Sequence, residues 1–139
     1  MKDSSLLDEL WEGYSVKVVA IDDDVHSLDI LKRYIKVAYP DVQYFSADNG
    51  KDGLKLVNEK HPDLILLDIE MPEVSGLDVL KILKEQNSEA ILSIPVIMIT
   101  VVKDEVSIRK AIELGAVNYI LKPYNRKDLI KRLKPYLIA

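Results

Sequence analysis

The stretch VVAIDDDVHS, residues 18–27, begins as an apolar run and continues into three consecutive aspartates. Four apolar residues in a row, two of them valine and one isoleucine, are typical of a strand that is covered on both faces. Asp22, Asp23 and Asp24 then repel one another unless an opposite charge lies among them. The stretch therefore predicts either a solvated turn that caps the next helix or a site that binds a cation.

Predicted strands and helices alternate regularly outward from this stretch. Short apolar runs predict strands at residues 16–21, 42–47, 63–67, 94–100 and 117–121. Apolar residues at helical spacing predict helices at residues 25–38, 50–60, 76–86, 104–115 and 125–137. Because right-handed crossovers place helices on both faces of a parallel sheet, the pattern predicts an α/β fold: a doubly wound five-stranded parallel sheet with five helices.

The alternation divides the chain into one domain, residues 15–139, and a short N-terminal extension, residues 1–14. In the extension, SLLD reads as a helix-capping box and is followed closely by further apolar residues. The leucines and the tryptophan of the extension form a short apolar stripe at helical spacing. We therefore expect a short helix that packs on its own domain or on a twin domain.

Composition excludes several classes of function. The 139 residues, 48% hydrophobic and 30% charged, suit one globular domain. No apolar run approaches the roughly 20 residues of a membrane helix, which argues against membrane insertion. The acidic start does not resemble a secretory signal, and cysteine is absent, so we expect a cytoplasmic location. A net charge of −4 without a basic block argues against direct nucleic-acid binding.

Chemically active residues follow the carboxyl ends of the predicted strands, where sites form in open parallel sheets. The first strand is followed by Asp22 and Asp23, the third by Asp68 and the fifth by Lys122, while the fourth ends at Thr100. Oxygen ligands without histidine or cysteine favour a hard cation such as Mg²⁺. The ammonium and the hydroxyl are donors that suit the anionic oxygens of a phosphoryl group, which one aspartate could accept as an acyl phosphate.

Four segments, VVAIDDD, PDLILLDIEMPEVSG, VIMIT and GAVNYILKPY, together resemble the receiver domain of bacterial two-component response regulators. The resemblance covers about residues 15–138. It implies a flavodoxin-like fold with strand order 2-1-3-4-5. It also implies a signalling switch rather than an enzyme, since such a domain catalyses only its own phosphorylation and dephosphorylation.

The resemblance implies a role for each acidic residue of the site. Asp68 matches the phosphoacceptor. Asp22, Asp23, Asp68 and the main-chain carbonyl of Glu70 match the ligands of Mg²⁺, for which Mn²⁺ can substitute, and Asp22 is expected to act mainly through water. Gly76 matches the loop that carries the acceptor strand into its helix.

The resemblance also implies the residues that bind the phosphoryl group and respond to it. Thr100 and Lys122 are expected to bind phosphoryl oxygens, and Tyr119 matches the aromatic switch residue. The peptide bond between Lys122 and Pro123 is expected to be cis, which aims the lysine into the pocket.

Three residues are expected to tune access and dephosphorylation, namely Glu70, Val101 and Val102. Val101 stands where the family usually has alanine, glycine or serine, so its β-branched side chain is expected to restrict small phosphodonors or to slow dephosphorylation. The Glu70 side chain could repel, orient or block the attacking water, and the sequence leaves these options open.

The resemblance further implies the partners. The phosphoryl donor is expected to be a sensor histidine kinase or a phosphotransfer protein. The recipient of the signal is expected to be a downstream effector protein or an output domain that this chain lacks. The face made by the fourth predicted helix, the fifth strand and the fifth helix is expected to change its partner preference on phosphorylation. A phosphorylation-dependent homodimer is one option for this face.

Two other functions stay open from the sequence. A haloacid-dehalogenase-type phosphohydrolase also uses an aspartyl phosphate, Mg²⁺ and a lysine, and its motif could start at Asp22 and Asp24, although His26 stands where threonine or valine belongs. Phosphatase turnover that survives Asp68→Asn but is lost in Asp22→Asn would favour this hydrolase. A pseudo-receiver, an interaction module that works without phosphorylation, would instead show no Mg²⁺-dependent labelling of Asp68.

Overall fold

The computed structural model describes Leu6 and residues 14–138. The strands are β1 (Lys17–Ile21), β2 (Gln43–Ala47), β3 (Leu64–Leu67), β4 (Val96–Thr100) and β5 (Asn118–Leu121). The helices are α1 (Val25–Ala38), α2 (Gly50–Lys60), α3 (Gly76–Lys84), α4 (Glu89–Leu92), α5 (Glu105–Glu113) and α6 (Arg126–Leu137). The predicted strands and the five predicted helices are confirmed, and the structure adds α4, a single turn between α3 and β4.

The five strands form one parallel sheet in the order β2-β1-β3-β4-β5, as predicted. The register decides which residues meet at the carboxyl edge of the sheet. Ile21 pairs with Leu67, and the Asp68 N–H donates a hydrogen bond to the Ile21 carbonyl at 3.0 Å. The residues that follow β1 and β3 are therefore brought side by side. Thr100 pairs with Leu121, so the residue after β5 lies at the same edge.

Both faces of the sheet are covered, which explains the unbroken apolar run in β1. Val18 and Ala20 pack in one core cluster with side chains of α1 and α6. Val19 and Ile21 pack in a second cluster with side chains of α2, α3 and α5 on the opposite face. All four residues are fully buried, or nearly so. A polar side chain in this run would have to be buried on one face or the other.

Each of the five longer helices begins with a side chain that accepts a hydrogen bond from a backbone N–H of its first turn. Such caps satisfy donors that a helix start otherwise leaves unpaired. The capping residues are Asp24, Asn49, Ser75, Asp104 and Asn125. The third aspartate of the opening stretch is thus the cap of α1.

Gly53 has a packing role inside α2, although a glycine lowers the helical propensity of the sequence there. A Cβ atom at this position would lie 2.5 Å from Cδ1 of Ile21. The missing side chain therefore lets α2 approach β1 closely.

The N-terminal extension lies largely outside the described residues, so its predicted helix and the division at residue 14 stay predictions. Leu6 is in a helix and is 55% exposed. The Tyr14 hydroxyl donates a hydrogen bond to Oδ1 of Asp63 at 2.9 Å, next to the start of β3. Within the described part of the chain, no helix is long and apolar enough to cross a membrane.

Candidate functional site

Two buried carboxylates, those of Asp22 and Asp68, lie side by side at the carboxyl edge of the sheet. Backbone donors hold one oxygen of each. The Asp24 N–H donates to Oδ1 of Asp22 at 2.9 Å, and the Glu70 N–H donates to Oδ1 of Asp68 at 3.2 Å. These bonds fix the orientation of both carboxylates, and the other oxygen of each bonds Lys122.

Lys122 reaches across the edge from the end of β5. Its Nζ lies 2.6 Å from Oδ2 of Asp22 and 2.9 Å from Oδ2 of Asp68, and the lysine side chain is itself mostly buried. The peptide bond between Lys122 and Pro123 is cis. The ammonium is thus held between two carboxylates that belong to different strands.

The charges in this pocket do not balance. Burial raises the pKa of the Asp22 carboxyl to about 6, against hydrogen bonds from Lys122 and Asp24 that lower it. Burial alone would lower the pKa of Lys122, but hydrogen bonds to Asp22 and Asp68 raise it overall, so the ammonium stays charged. When Asp22, Asp23 and Asp68 are all ionised, three negative charges face one positive charge.

Asp23 completes a group of oxygens that can hold a metal ion. Asp22, Asp23 and Asp68 each offer one carboxylate oxygen, and these three atoms lie within 4.8 Å of one another. Asp23 is exposed, so water can reach its side of the group. An all-oxygen set with excess negative charge and access to water fits Mg²⁺, which keeps several waters when bound. The remaining predicted ligand is the main-chain carbonyl of Glu70. The N–H of the same residue donates a hydrogen bond to the Asp68 carboxylate, so the Glu70 backbone lies next to this group.

Thr100, Val102 and Tyr119 form a chain of hydrogen bonds beside the acidic pocket. The Thr100 side chain is fully buried, and its hydroxyl accepts a hydrogen bond from the Val102 N–H at 3.3 Å. The Val102 carbonyl accepts a hydrogen bond from the Tyr119 hydroxyl at 2.6 Å. Among the described residues, the hydrogen-bond partner of the Thr100 hydroxyl is therefore the backbone of Val102 and not a carboxylate of the pocket.

Gly76 is needed because α3 begins against the backbone of Asp68. The Gly76 N–H donates to the Ile69 carbonyl at 2.8 Å. A Cβ atom on Gly76 would lie only 1.9 Å from the carbonyl oxygen of Asp68. The loop after β3 thus folds back so tightly that only glycine fits there.

Ser27 is a site residue that the sequence reasoning missed. Its hydroxyl accepts a hydrogen bond from Lys122 Nζ at 3.2 Å and donates one to Oδ2 of Asp24 at 3.2 Å. The sequence does contain a signal for this position: Asp24 is a typical helix-capping residue, and the third residue of a helix lies close to the side chain of its cap. Ser27 thus gives Lys122 a third partner besides the two carboxylates.

The electrostatics lead to a prediction for Asp22→Asn. This variant is expected to melt at a higher temperature than the wild type in metal-free solution at neutral pH. Because folding raises the pKa of Asp22 from 3.8 to about 6, its ionisation costs stability that grows between these two pH values and is fully present at neutral pH. An amide oxygen in its place can still accept either from Lys122 or from the Asp24 N–H. The gain in free energy of unfolding should be on the order of 2 kcal/mol.

Thermal unfolding with and without Mg²⁺ checks this prediction. Mg²⁺ should stabilise Asp22→Asn less than it stabilises the wild type, because the variant has lost a ligand charge. Asp48→Asn is the control, since Asp48 is an exposed acid that follows β2 at the same edge. A metal-free melting temperature of Asp22→Asn at or below that of the wild type would contradict the electrostatic account.

Comparison with known proteins identifies the family. Residues 18–134 match the model of the response regulator receiver domain, and the chain belongs to this family. It is therefore a receiver domain of two-component signalling, and this family acts as a signalling switch. Receiver domains generally bind Mg²⁺ at an acidic pocket, and the group formed by Asp22, Asp23 and Asp68 corresponds to one.

Individual relatives agree with this assignment. The probable C4-dicarboxylate response regulator DctR of Bacillus subtilis (strain 168) is 33% identical over 120 residues, which are 86% of this chain and 51% of DctR. This chain thus spans about half the length of that relative. The signal receiver domain of the DNA-binding response regulator merR from Colwellia psychrerythraea 34H has a TM-score of 0.80 and 26% identity, over 87% of this chain and 97% of that chain.

A solved structure below 25% identity supports the fold alone. The chemotaxis protein CheY4 of Vibrio cholerae superimposes with a TM-score of 0.80 at 23% identity, over 89% of this chain and all of that chain. The match confirms the flavodoxin-like fold that the sequence predicts.

Proposed function

We propose that this protein accepts a phosphoryl group on Asp68 from a sensor histidine kinase or a phosphotransfer protein. The observation that carries the proposal is the Lys122 ammonium, held 2.6 Å from Asp22 and 2.9 Å from Asp68 beside a group of three carboxylates. A transferring phosphoryl group brings anionic oxygens, which need positive charge on more than one side. An ammonium next to a cation site provides that arrangement.

Asp68 is the acceptor in this mechanism. A carboxylate oxygen of Asp68 forms a bond to phosphorus while the bond from phosphorus to the histidine nitrogen breaks, and the electron pair of that bond stays on the imidazole. Lys122 exchanges a carboxylate partner for a phosphoryl oxygen. Mg²⁺, or Mn²⁺ in its place, would be held by Asp22, Asp23, Asp68 and the Glu70 carbonyl. When bound, the ion supplies charge that offsets the carboxylates and the phosphoryl oxygens.

The hydrogen bonds of Thr100 support a route from the phosphoryl group to the surface. If the Thr100 hydroxyl turns to donate to a phosphoryl oxygen, its bond from the Val102 N–H is weakened or lost. Because the Val102 carbonyl also holds the Tyr119 hydroxyl, movement of Val102 changes the position that Tyr119 prefers. Phosphorylation thereby shifts a two-state equilibrium of the Tyr119 side chain.

The face made by α5, β5 and α6 is the surface that we propose responds. Four large apolar side chains are exposed on or beside α5 and β5, and a partner that covers this face would bury them. These side chains are Val106, Ile112, Val117 and Leu121. We propose an effector protein, an output domain or a second copy as the partner of this face. The cytoplasmic location stays a prediction.

Titration with beryllofluoride and Mg²⁺, followed by NMR of the backbone amides, tests this function. Beryllofluoride mimics a phosphoryl group on a carboxylate. In the wild type and in Asp48→Asn, the amide chemical shifts of Glu70 and Val102 should change saturably, and only when Mg²⁺ is present. In Asp68→Asn these chemical shifts should not change. A wild type without such shifts would instead favour the pseudo-receiver. The hydrolase alternative lacks the support that the family match gives to the receiver.

A separate prediction concerns the residue after Thr100. Val101→Ala is expected to be labelled severalfold faster by acetyl phosphate, to lose the label severalfold faster, or both. The reason is that Val101 is 53% exposed directly beside the phosphoryl-binding threonine, so a smaller side chain opens that position to small molecules and water. Labelling and decay followed by intact mass provide the measurement. Val106→Ala on α5 is the control, and rates of Val101→Ala equal to the wild type would contradict the tuning role.

A further inference from the structure

A groove with apolar and basic lining lies between α1 and α6, with a volume of about 450 Å³. The residues that line this α1–α6 groove are Val37, Ala38, Arg126, Lys127 and Ile130. Val37 is 68% exposed, so the groove leaves a large apolar side chain open to water. The helix that forms one wall, α6, carries five basic residues and one acidic residue, a net charge of +4 in a chain whose net charge is −4.

Residues 1–13, called here the N-terminal segment, have the complementary character. They contain four acidic residues and one lysine, a net side-chain charge of −3. They also contain four large apolar residues at helical spacing, Leu6, Leu7, Leu10 and Trp11. Leu6 is in a helix and is more than half exposed to water. The segment and the groove therefore each leave a large apolar side chain, Leu6 and Val37, open to solvent.

The N-terminal segment joins the domain at the edge of the sheet where the α1 wall of the groove ends. Val16 packs in the core cluster that also includes side chains of α1 and α6. The Gln43 N–H donates to the Val16 carbonyl at 2.9 Å, so the start of β1 lies beside the start of β2. Only residues 39–42 separate Gln43 from Ala38. Thirteen residues span about 20 Å as a helix, which is close to the length of the twelve-residue helix α6 that forms one wall of the groove.

We propose that the N-terminal segment docks in the α1–α6 groove of its own chain. The leucines and Trp11 lie against Val37 and Ile130, and the acidic side chains face Arg126 and Lys127. Docking removes apolar surface of both parts from water and brings opposite charges together.

Trp11 makes the proposal directly testable, because it is the only tryptophan of the chain and lies in the segment. The experiment measures acrylamide quenching of tryptophan fluorescence in the full chain, excited where tyrosine does not absorb. The quenching constant should be severalfold lower than that of a free tryptophan amide and should not change on dilution. It should rise toward the free value in Val37→Asp, in Lys127→Glu and at high salt.

Matched variants separate docking from unfolding or a general change of charge. Val106→Asp introduces the same substitution at a valine that is 79% exposed on α5, and Lys103→Glu reverses an exposed lysine outside the groove. Both should keep the low quenching constant, and circular dichroism should show all four variants folded. Full quenching in the wild type, protection lost on dilution, or protection that survives Val37→Asp would each overturn the proposal. These outcomes point respectively to an undocked segment, a second copy, or another docking surface.

Discussion

Replacing Asp68 by Asn is expected to abolish transfer of a phosphoryl group to the protein. The amide of asparagine is not a nucleophile of this kind, so no acyl phosphate can form at position 68. The amide oxygen can still accept the hydrogen bond from Glu70 or from Lys122, so the fold should be kept. Incubation with acetyl phosphate and Mg²⁺, followed by intact mass, should show labelled wild type and unlabelled Asp68→Asn.

The control for this prediction is Asp48→Asn, which removes an acid from the same sheet edge but outside the pocket. It should be labelled like the wild type, and removal of Mg²⁺ by a chelator should stop labelling in both. Labelling of Asp68→Asn at the wild-type rate would contradict the acceptor role. Turnover of phosphodonor by Asp68→Asn together with none by Asp22→Asn would support the hydrolase instead.

Gly76→Ala is expected to damage both the fold and the site. The added Cβ would lie 1.9 Å from the Asp68 carbonyl oxygen and 2.6 Å from its carbon, which are backbone atoms that cannot move aside alone. The start of α3 or the acceptor backbone must shift, at a cost of about 3 kcal/mol or more in the free energy of unfolding. Urea denaturation should show this loss, and labelling by acetyl phosphate should fall in the fraction that stays folded.

Gly53→Ala is the matched control, because its Cβ would also meet atoms at less than 3 Å, but they belong to the Ile21 side chain. That side chain can adjust, so we expect a loss of about 1–3 kcal/mol with labelling retained. Equal effects of the two substitutions on labelling would show that the contact with the Asp68 backbone has no special importance. Wild-type stability of Gly76→Ala would contradict the geometry of the loop.

Much of the fold follows from the sequence because the three central strands, β1, β3 and β4, carry apolar residues on both faces and lead into a polar residue at the sheet edge. The run from Val18 to Ile21 is typical of a strand covered on both faces, and Asp22 marks its end. Asp68 marks the end of β3 in the same way. Since parallel strands place their carboxyl ends at one edge, the acidic pocket could be predicted before any distance was known.

Other features depend on contacts that a linear pattern does not encode. From the sequence, Gly53 only lowers the helix propensity of its segment, whereas in the structure the missing side chain makes room for Ile21. It shows Ser27 as an ordinary polar residue of α1, whereas its hydroxyl bonds Lys122, which is 95 residues away in the chain. The single turn of α4 is too short to have a periodic signal.

The central claim is that Asp68 is the acceptor, and mapping the phosphoryl group along the chain tests it most directly. Wild-type protein is labelled with acetyl phosphate and Mg²⁺, reduced with borohydride to convert an acyl phosphate into a stable alcohol, digested, and sequenced by mass spectrometry. We expect the reduced residue at position 68 alone, and only when Mg²⁺ was present. Modification at Asp22, or no modification despite bound Mg²⁺, would contradict the account.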